Sequence, residues 1–200
     1  VMMWMGRAQP TGGDLGWFIV FKDQDGGLIE GNLLLYQTLA ATPNSVGIIF
    51  SSSSSRNVTV RNNIIYEVQG TGIEFTINTE TGIAVQNNDL QDPVEDPHLV
   101  VYSGSFSAVT FSGNRYFSSA AAGSWFSVGG SNRSYAQWLS DSGETGSSSG
   151  QVGYPDPGRD EVDYMNFIGQ APATLAQFAT LARGNSKASW NPAYTADAIN

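Results

Sequence analysis

The stretch Val58-Thr59-Val60-Arg61-Asn62-Asn63-Ile64-Ile65 places alternating apolar and polar residues on both sides of an asparagine pair. Alternation with a period of two is the pattern of a half-buried β-strand. Asparagine and glycine tolerate the left-handed backbone that a very short corner requires. The stretch therefore predicts two strands joined by a tight bend.

The same corner recurs at Asn32, Asn88 and Asn114, so successive corner asparagines are 31, 25 and 26 residues apart. Apolar residues stand three positions before and two positions after each of them. They are Ile29, Val60, Val85 and Phe111 before, and Leu34, Ile65, Leu90 and Tyr116 after. A repeat of this length is typical of a solenoid. If the turns stack at the ~4.8 Å strand spacing, the asparagines can bond to one another as an internal ladder.

Each repeat also contains a third apolar segment. These segments are Gly47-Ile48-Ile49-Phe50-Ser51, Gly72-Ile73-Glu74-Phe75-Thr76, His98-Leu99-Val100-Val101-Tyr102 and Trp125-Phe126-Ser127-Val128-Gly129, and residues 16–22 are read as the same strand of one earlier turn. Three strands per repeat, with the length variation confined to loops, predict an all-β chain that forms a parallel β-helix solenoid.

From Ser131 the composition changes, so we assign residues 1–130 to the solenoid and residues 131–200 to a C-terminal cap of helices and loops. A solenoid end exposes core and strand edges, which a cap covers. The run 174–183 has the spacing of an amphipathic helix, with Thr174 as its N-cap. The apolar start of the chain has neither helix cap nor signal peptide, and we expect further turns upstream of it.

These corners resemble those of the right-handed parallel β-helix proteins of the pectate-lyase-like superfamily, over roughly residues 16–130. The ending Trp190-Asn191-Pro192-Ala193-Tyr194-Thr195-Ala196 is similar to the C-terminal segment of many secreted bacterial β-helix proteins. The resemblance implies a right-handed coil, a secreted or cell-surface location and a polysaccharide partner. It leaves the activity open, because this fold carries lyases, hydrolases and non-enzymatic proteins.

Composition excludes two classes of partner. The net charge is −9 and the chain has only two lysines, so it lacks the basic stripe that nucleic-acid binding needs. No run of about 18 apolar residues is present, so we expect no insertion into a membrane. The chain has no cysteine, which removes disulfides and thiolate metal sites.

The outward face of the third strand is the predicted site. With Ile48/Phe50, Ile73/Phe75, Leu99/Val101 and Phe126/Val128 directed inward, the residues expected to point outward are Ile49, Ser51, Glu74, Thr76, His98, Val100, Tyr102, Trp125 and Ser127. Sugar rings stack on aromatic side chains and their hydroxyls need polar partners. We therefore expect Trp125, Thr76, Ser51 and Arg61 to bind an acidic polysaccharide.

A uronate lyase or epimerase must neutralise a carboxylate, remove a proton and protonate the leaving oxygen. Lys22 or Arg61 would supply the cation, His98 the base and Tyr102 the acid. A glycoside hydrolase would instead pair Glu74 with a second carboxylate from the following acidic loop. The carboxylates of that loop, Asp92, Glu95 and Asp96, are also candidate ligands for Ca²⁺, the one cofactor the sequence suggests.

A second hypothesis is non-enzymatic. With a capped C-terminal end and no evident N-terminal cap, the solenoid could meet another copy end to end. The chain would then be an extracellular structural or adhesive module that assembles into a fibre.

Overall fold

The computed structural model describes residues 2–3, 17–35, 46–51, 54–93, 97–154, 160–186 and 188–194. The chain divides into two compact units, residues 2–152 and residues 153–200. The first unit is a parallel β-solenoid of about four turns, which confirms the predicted fold class. Three helices lie toward the C-terminus.

The solenoid has three sheets, whose strands are numbered along the chain. Sheet A contains β1 (Met2–Met3), β4 (Leu33–Leu35), β7 (Ile64–Tyr66), β10 (Asp89–Gln91), β13 (Arg115–Phe117) and β16 (Ser148–Ser149). Sheet B contains β2 (Ile19–Phe21), β5 (Val46–Phe50), β8 (Thr71–Phe75), β11 (Val100–Tyr102), β14 (Phe126–Val128) and β15 (Ser131–Arg133). Sheet C contains β3 (Asp25–Glu30), β6 (Arg56–Arg61), β9 (Ile83–Gln86) and β12 (Val109–Ser112).

The registers around the asparagine corners match the sequence alignment. Ile29, Val60, Val85 and Phe111 pair in one column of sheet C, and Leu34, Ile65, Leu90 and Tyr116 pair in one column of sheet A. Both columns are buried. The residue before each ladder asparagine has positive φ: Gly31, Asn62, Asn87 and Gly113. The corner chemistry predicted from the sequence is confirmed.

The asparagine ladder runs through the interior. The Asn63 Oδ1 atom accepts hydrogen bonds from the backbone N–H and the Nδ2 of Asn32, at 3.0 and 2.9 Å. In the same way, the Asn88 Oδ1 accepts from the N–H and Nδ2 of Asn63. The Asn114 Oδ1 accepts from the N–H and Nδ2 of Asn88. The Nδ2 atoms of Asn63, Asn88 and Asn114 also donate to backbone carbonyls of the turn before.

Glu144 takes the next place in the ladder. Its Oε1 accepts from the backbone N–H and Nδ2 of Asn114, at 3.3 and 2.8 Å. Its Oε2 accepts from Trp138 Nε1 at 2.7 Å and from the Tyr116 hydroxyl at 3.1 Å. Burial raises the pKa of Glu144, although these donors favour the charged form. A buried carboxyl group therefore ends the row of amides.

Aromatic rings pack against one another along the solenoid interior and at its C-terminal end. Phe50 and Phe75 stack with their ring centroids 4.7 Å apart. Helix α1 (Tyr135–Ser142) begins at a Ser134 capping box and ends at Gly143. It lays Trp138 flat against Phe126, with the centroids 4.6 Å apart. Residues 131–152 thus complete the first unit.

The second unit contains α2 (Glu161–Phe167), α3 (Leu175–Arg183) and a short 3₁₀ turn at Pro192–Tyr194. The predicted helix and its cap are confirmed, because the Thr174 hydroxyl accepts a hydrogen bond from the Gln177 N–H at 3.2 Å. None of the helices in the described ranges has the length and apolar character needed to cross a membrane.

The expected orientation of one strand is wrong. In β11 it is Val100 and Tyr102 that point inward, in register with Ile73 and Val128, and Val101 that points outward. The run Leu99-Val100-Val101 has no alternation, so its period could not be read from the sequence. Tyr102 is drawn inside because its ring packs on Phe75, with centroids 5.1 Å apart.

Candidate functional site

The outer face of sheet B carries the candidate site. Cross-strand pairing aligns one column on this side of the sheet: Ile49, Glu74, Val101, Ser127 and Asn132, of which Ile49 and Ser127 are buried. The six strands of this sheet span about 24 Å at the usual strand spacing. Glu74, Val101 and Asn132 are the members of this column that are at least partly exposed.

His98 lies just before β11 and reaches this face. Its Nε2 atom is 3.0 Å from the Oδ1 of Asn132. An amide oxygen only accepts, so Nε2 is the donor in this hydrogen bond. The contact fixes the position of the one histidine in the chain.

Asn132 is brought to His98 by a hairpin that the sequence reading missed. Strands β14 and β15 are antiparallel and joined by Gly129 and Gly130, whose φ values are 58° and 75°. Two positive φ values in a two-residue loop are the geometry of a type I′ turn. The Gly-Gly pair between two short alternating segments was the signal that could have predicted it.

Glu74 is half-buried in the middle of the column, between Ile49 and Val101. It lies on the strand next to β11, which His98 precedes. The structure thus places a carboxylate and an imidazole on the outer side of the same sheet. The register pairs β8, the strand of Glu74, with β11, the strand that His98 precedes.

Tyr102 does not lie on this face, which corrects the expectation that it points outward as the acid. Its side chain is buried, and its hydroxyl donates to the Ser105 carbonyl oxygen at 2.7 Å. Burial, with a smaller contribution from the charge of Glu80, raises the pKa of Tyr102 to about 12. A buried phenol that holds its proton so firmly is a poor acid for a substrate outside the solenoid.

The predicted hydroxyl residues lie at the end of sheet B, where the chain turns toward sheet C. The Ser51 N–H donates to the Phe21 carbonyl and the Thr76 N–H donates to the Phe50 carbonyl, so they occupy equivalent places in successive turns. Thr76 is exposed and Ser51 is buried. Lys22 begins the corresponding corner one turn earlier and is exposed.

Two other predicted binding residues are held elsewhere by their own partners. The Arg61 Nε donates to Glu30 Oε1 at 2.7 Å on sheet C, so Arg61 does not join Lys22 or His98. Trp125 is half-buried, its Nε1 donates to the Ala120 carbonyl at 3.2 Å, and its ring meets the edge of Phe117. Trp125 is thus tied to the loop that precedes β14.

The predicted calcium ligands are described only in part. Asp92 accepts a hydrogen bond from the Ser119 N–H at 2.9 Å, while Glu95 and Asp96 lie outside the described residues. Among the residues that the structure does describe, no group of three or more His, Cys, Asp or Glu side chains could hold a metal ion. The Ca²⁺ site remains a prediction from the sequence.

A second polar group on the outside of the solenoid was not expected. On sheet A the buried Asp89 receives two hydrogen bonds from Arg115, at 2.6 and 3.2 Å, and one from Gln91 at 2.8 Å. Gln91 also accepts from the Val152 N–H at 3.1 Å. This network attaches the segment after β16 to the sheet. We therefore interpret it as structural and not as a second binding site.

The outer side of sheet B carries side chains that can form hydrogen bonds and exchange protons. It offers an imidazole, a carboxylate and an amide together with hydroxyls, which are groups that bind sugar hydroxyls and can move protons. Comparison of the chain with protein families, with characterised proteins and with solved structures finds no match.

Proposed function

We propose that this chain is a secreted, carbohydrate-active β-solenoid that binds an acidic polysaccharide along the outer face of sheet B. The main support for the proposal is the contact between His98 and Asn132. It lies on the same side of sheet B as Glu74, whose strand β8 pairs with β11. The resemblance of the corners to the pectate-lyase-like superfamily supports the same class of substrate and an extracellular or cell-surface location.

The reaction that suits these groups is β-elimination of a uronate. His98 would take the proton from the carbon next to the carboxylate, the bond to the leaving oxygen would break, and a carbon–carbon double bond would form in the ring. The leaving oxygen needs a proton, and with Tyr102 inside the solenoid Glu74 is the acid on the described face that could supply it. Lys22, exposed at the corner, would attract the polyanion.

The first test is incubation of the chain with pectate, alginate, glucuronan and glycosaminoglycans, with and without Ca²⁺. The unsaturated uronate product is followed by its ultraviolet absorbance. We expect a signal on one uronate class, its loss in His98→Gln, and its retention in Arg183→Gln, a control in the second unit. Reducing ends without ultraviolet absorbance would instead indicate a hydrolase.

Binding without turnover is tested separately by gel retardation in each polysaccharide. Retardation in acidic polymers that weakens in Lys22→Gln would support a binding module, and the absence of retardation in all of them would overturn the proposal. The fibre hypothesis has less support, because Phe18, Ile29 and Leu34 of the first described turn are buried. Growth of the sedimenting mass with concentration would nevertheless revive it.

A further inference from the structure

Glu80 occupies an unusual place in the corner between sheets B and C. The Thr81 N–H bonds to the Ser55 carbonyl at 3.2 Å, so Glu80 stacks on Ser55 of the preceding turn. The relative exposures of Glu80 and Ser55 are 2% and 0%. Within the part of the chain that the structure describes, neither carboxyl oxygen of Glu80 has a hydrogen-bond partner.

A buried carboxylate without a counter-ion is costly because it gives up its hydration. The nearby backbone amides of Glu80 and Thr79 offset only part of that cost. Glu144 shows the contrast within the same molecule, since its two oxygens accept from Asn114, Trp138 and Tyr116. No comparable set of donors surrounds Glu80 in the described residues. In these surroundings the neutral acid is therefore the form of Glu80 with the lower free energy.

We propose that Glu80 is a pH-sensitive element of the solenoid, carried as the neutral acid in the folded chain and loosening the corner between sheets B and C when it ionises. The corner joins β8 to β9. Strand β8 carries Glu74 and leads into Thr76, so the loosening would begin next to the candidate site. The proposal does not depend on what that site binds.

The surroundings of Glu80 fix the direction of the effect. Tyr102 is the titratable side chain coupled to it among the described residues, and that phenol stays neutral below its pKa of about 12. Arg56 and Asp25 lie nearby on sheet C, but they pair with each other at 3.0 Å on the exposed outer side. Burial raises the pKa of Glu80, against a smaller opposing effect of the backbone amides of Glu80 and Thr79.

The sign for stability follows from the difference between the folded and unfolded chains. The unfolded chain loses the Glu80 proton at the ordinary carboxyl pKa, whereas the folded chain keeps it to higher pH. Stability from this group is therefore full below the ordinary pKa and is lost as the pH rises through the raised value. A side chain of similar length without the charge should not show that loss.

The experiment compares the thermal midpoints of the unchanged chain, Glu80→Met and Glu80→Gln between about pH 5 and about pH 8. We expect the thermal midpoint of Glu80→Met, relative to that of the unchanged chain, to rise by about 3–5 °C over this pH range. This is the shift that a tenfold change in the folding equilibrium gives a chain of this length. Glu80→Gln should show the same trend from a lower starting point, because its amide also lacks partners.

The near-ultraviolet circular dichroism of the tyrosines provides a local readout. The tyrosine signal, to which Tyr102 contributes, should weaken with rising pH in the unchanged chain before global unfolding, and should stay constant in Glu80→Met. A gap that is constant or narrows with pH in both variants would overturn the proposal. Should one variant fail to fold, the other gives the same comparison.

Discussion

The corner between sheets C and A and the corner between sheets B and C bend the same chain in different ways. The first uses two residues in each of the four turns, and each ladder amide bonds to the next. The second varies from three to seven residues and contains the unpaired carboxyl group of Glu80. A repeated local rule sets the first corner, whereas the second depends on contacts made differently in each turn.

Removing one amide from the middle of the ladder should have the largest effect. Asn88→Leu removes the interior acceptor of the Asn63 N–H and Nδ2 and the side-chain donor to the Val60 carbonyl and the Asn114 Oδ1. The Asn114 Oδ1 keeps the Asn88 backbone N–H. We expect a loss of about 4 kcal/mol in the free energy of unfolding, measured by urea denaturation.

The matched control is the neighbouring Asn87, which is exposed and has a φ of 53°. Glycine adopts that conformation freely, so Asn87→Gly should change the stability by less than about 1 kcal/mol. Equal losses in Asn87→Gly and Asn88→Leu would mean that the corner depends on its backbone shape and not on the ladder bonds.

The next effect concerns the entry into sheet B. A Cβ atom on Gly72 would lie 2.6 Å from the Leu99 carbonyl oxygen of the following turn. Gly72→Ala should therefore cost about 2 kcal/mol, because two strands of the sheet must separate. Gly123→Ala is the control, since a Cβ there meets no atom within 4 Å. Unchanged urea midpoints for both variants would show that the spacing between these two strands can increase at little cost in free energy.

The two corners also differ in how far the sequence predicts them. The asparagine corners were predictable because apolar alternation and left-handed residues are local signals, visible around Asn63 and Asn88 alike. Tyr102 was misplaced because an uninterrupted apolar run has no readable period, and packing on Phe75 decides its side. Glu144 was missed because it replaces an asparagine within a Gly/Ser-rich stretch that shows no strand pattern.

Glu144 provides a paired test against Glu80. In Glu144→Gln the amide still accepts from Asn114, but Trp138 Nε1 loses its acceptor, so we expect the variant to be about 1 kcal/mol less stable near pH 5. Since burial raises the pKa of Glu144, the unchanged chain loses stability as the pH rises through that value. Its lead over Glu144→Gln should therefore shrink toward pH 8, as measured by urea denaturation.

Opposite behaviour at Glu144 would be informative. If the lead of the unchanged chain grew with pH, the donors from Asn114, Trp138 and Tyr116 would outweigh burial, and the ladder would end on a stable carboxylate. The difference between the two corners would then be one of charge as well as of hydrogen bonding. The Glu80 prediction would stand unaffected, because its own gap is measured between different variants.

The smallest effect on stability should come from the outer face of sheet B. Asn132 is exposed, so Asn132→Ala should lower the free energy of unfolding by less than about 1 kcal/mol while releasing the His98 ring. Because the chain contains a single histidine, its imidazole signals can be followed by nuclear magnetic resonance without assignment. We expect the nitrogen shift of Nε2 to move in Asn132→Ala and to stay in place in Ser131→Ala, which changes the neighbouring exposed hydroxyl. An unmoved signal in both variants would mean that the hairpin does not hold His98. The outer face would then resemble the corner between sheets B and C, where the contacts that position each side chain differ from turn to turn.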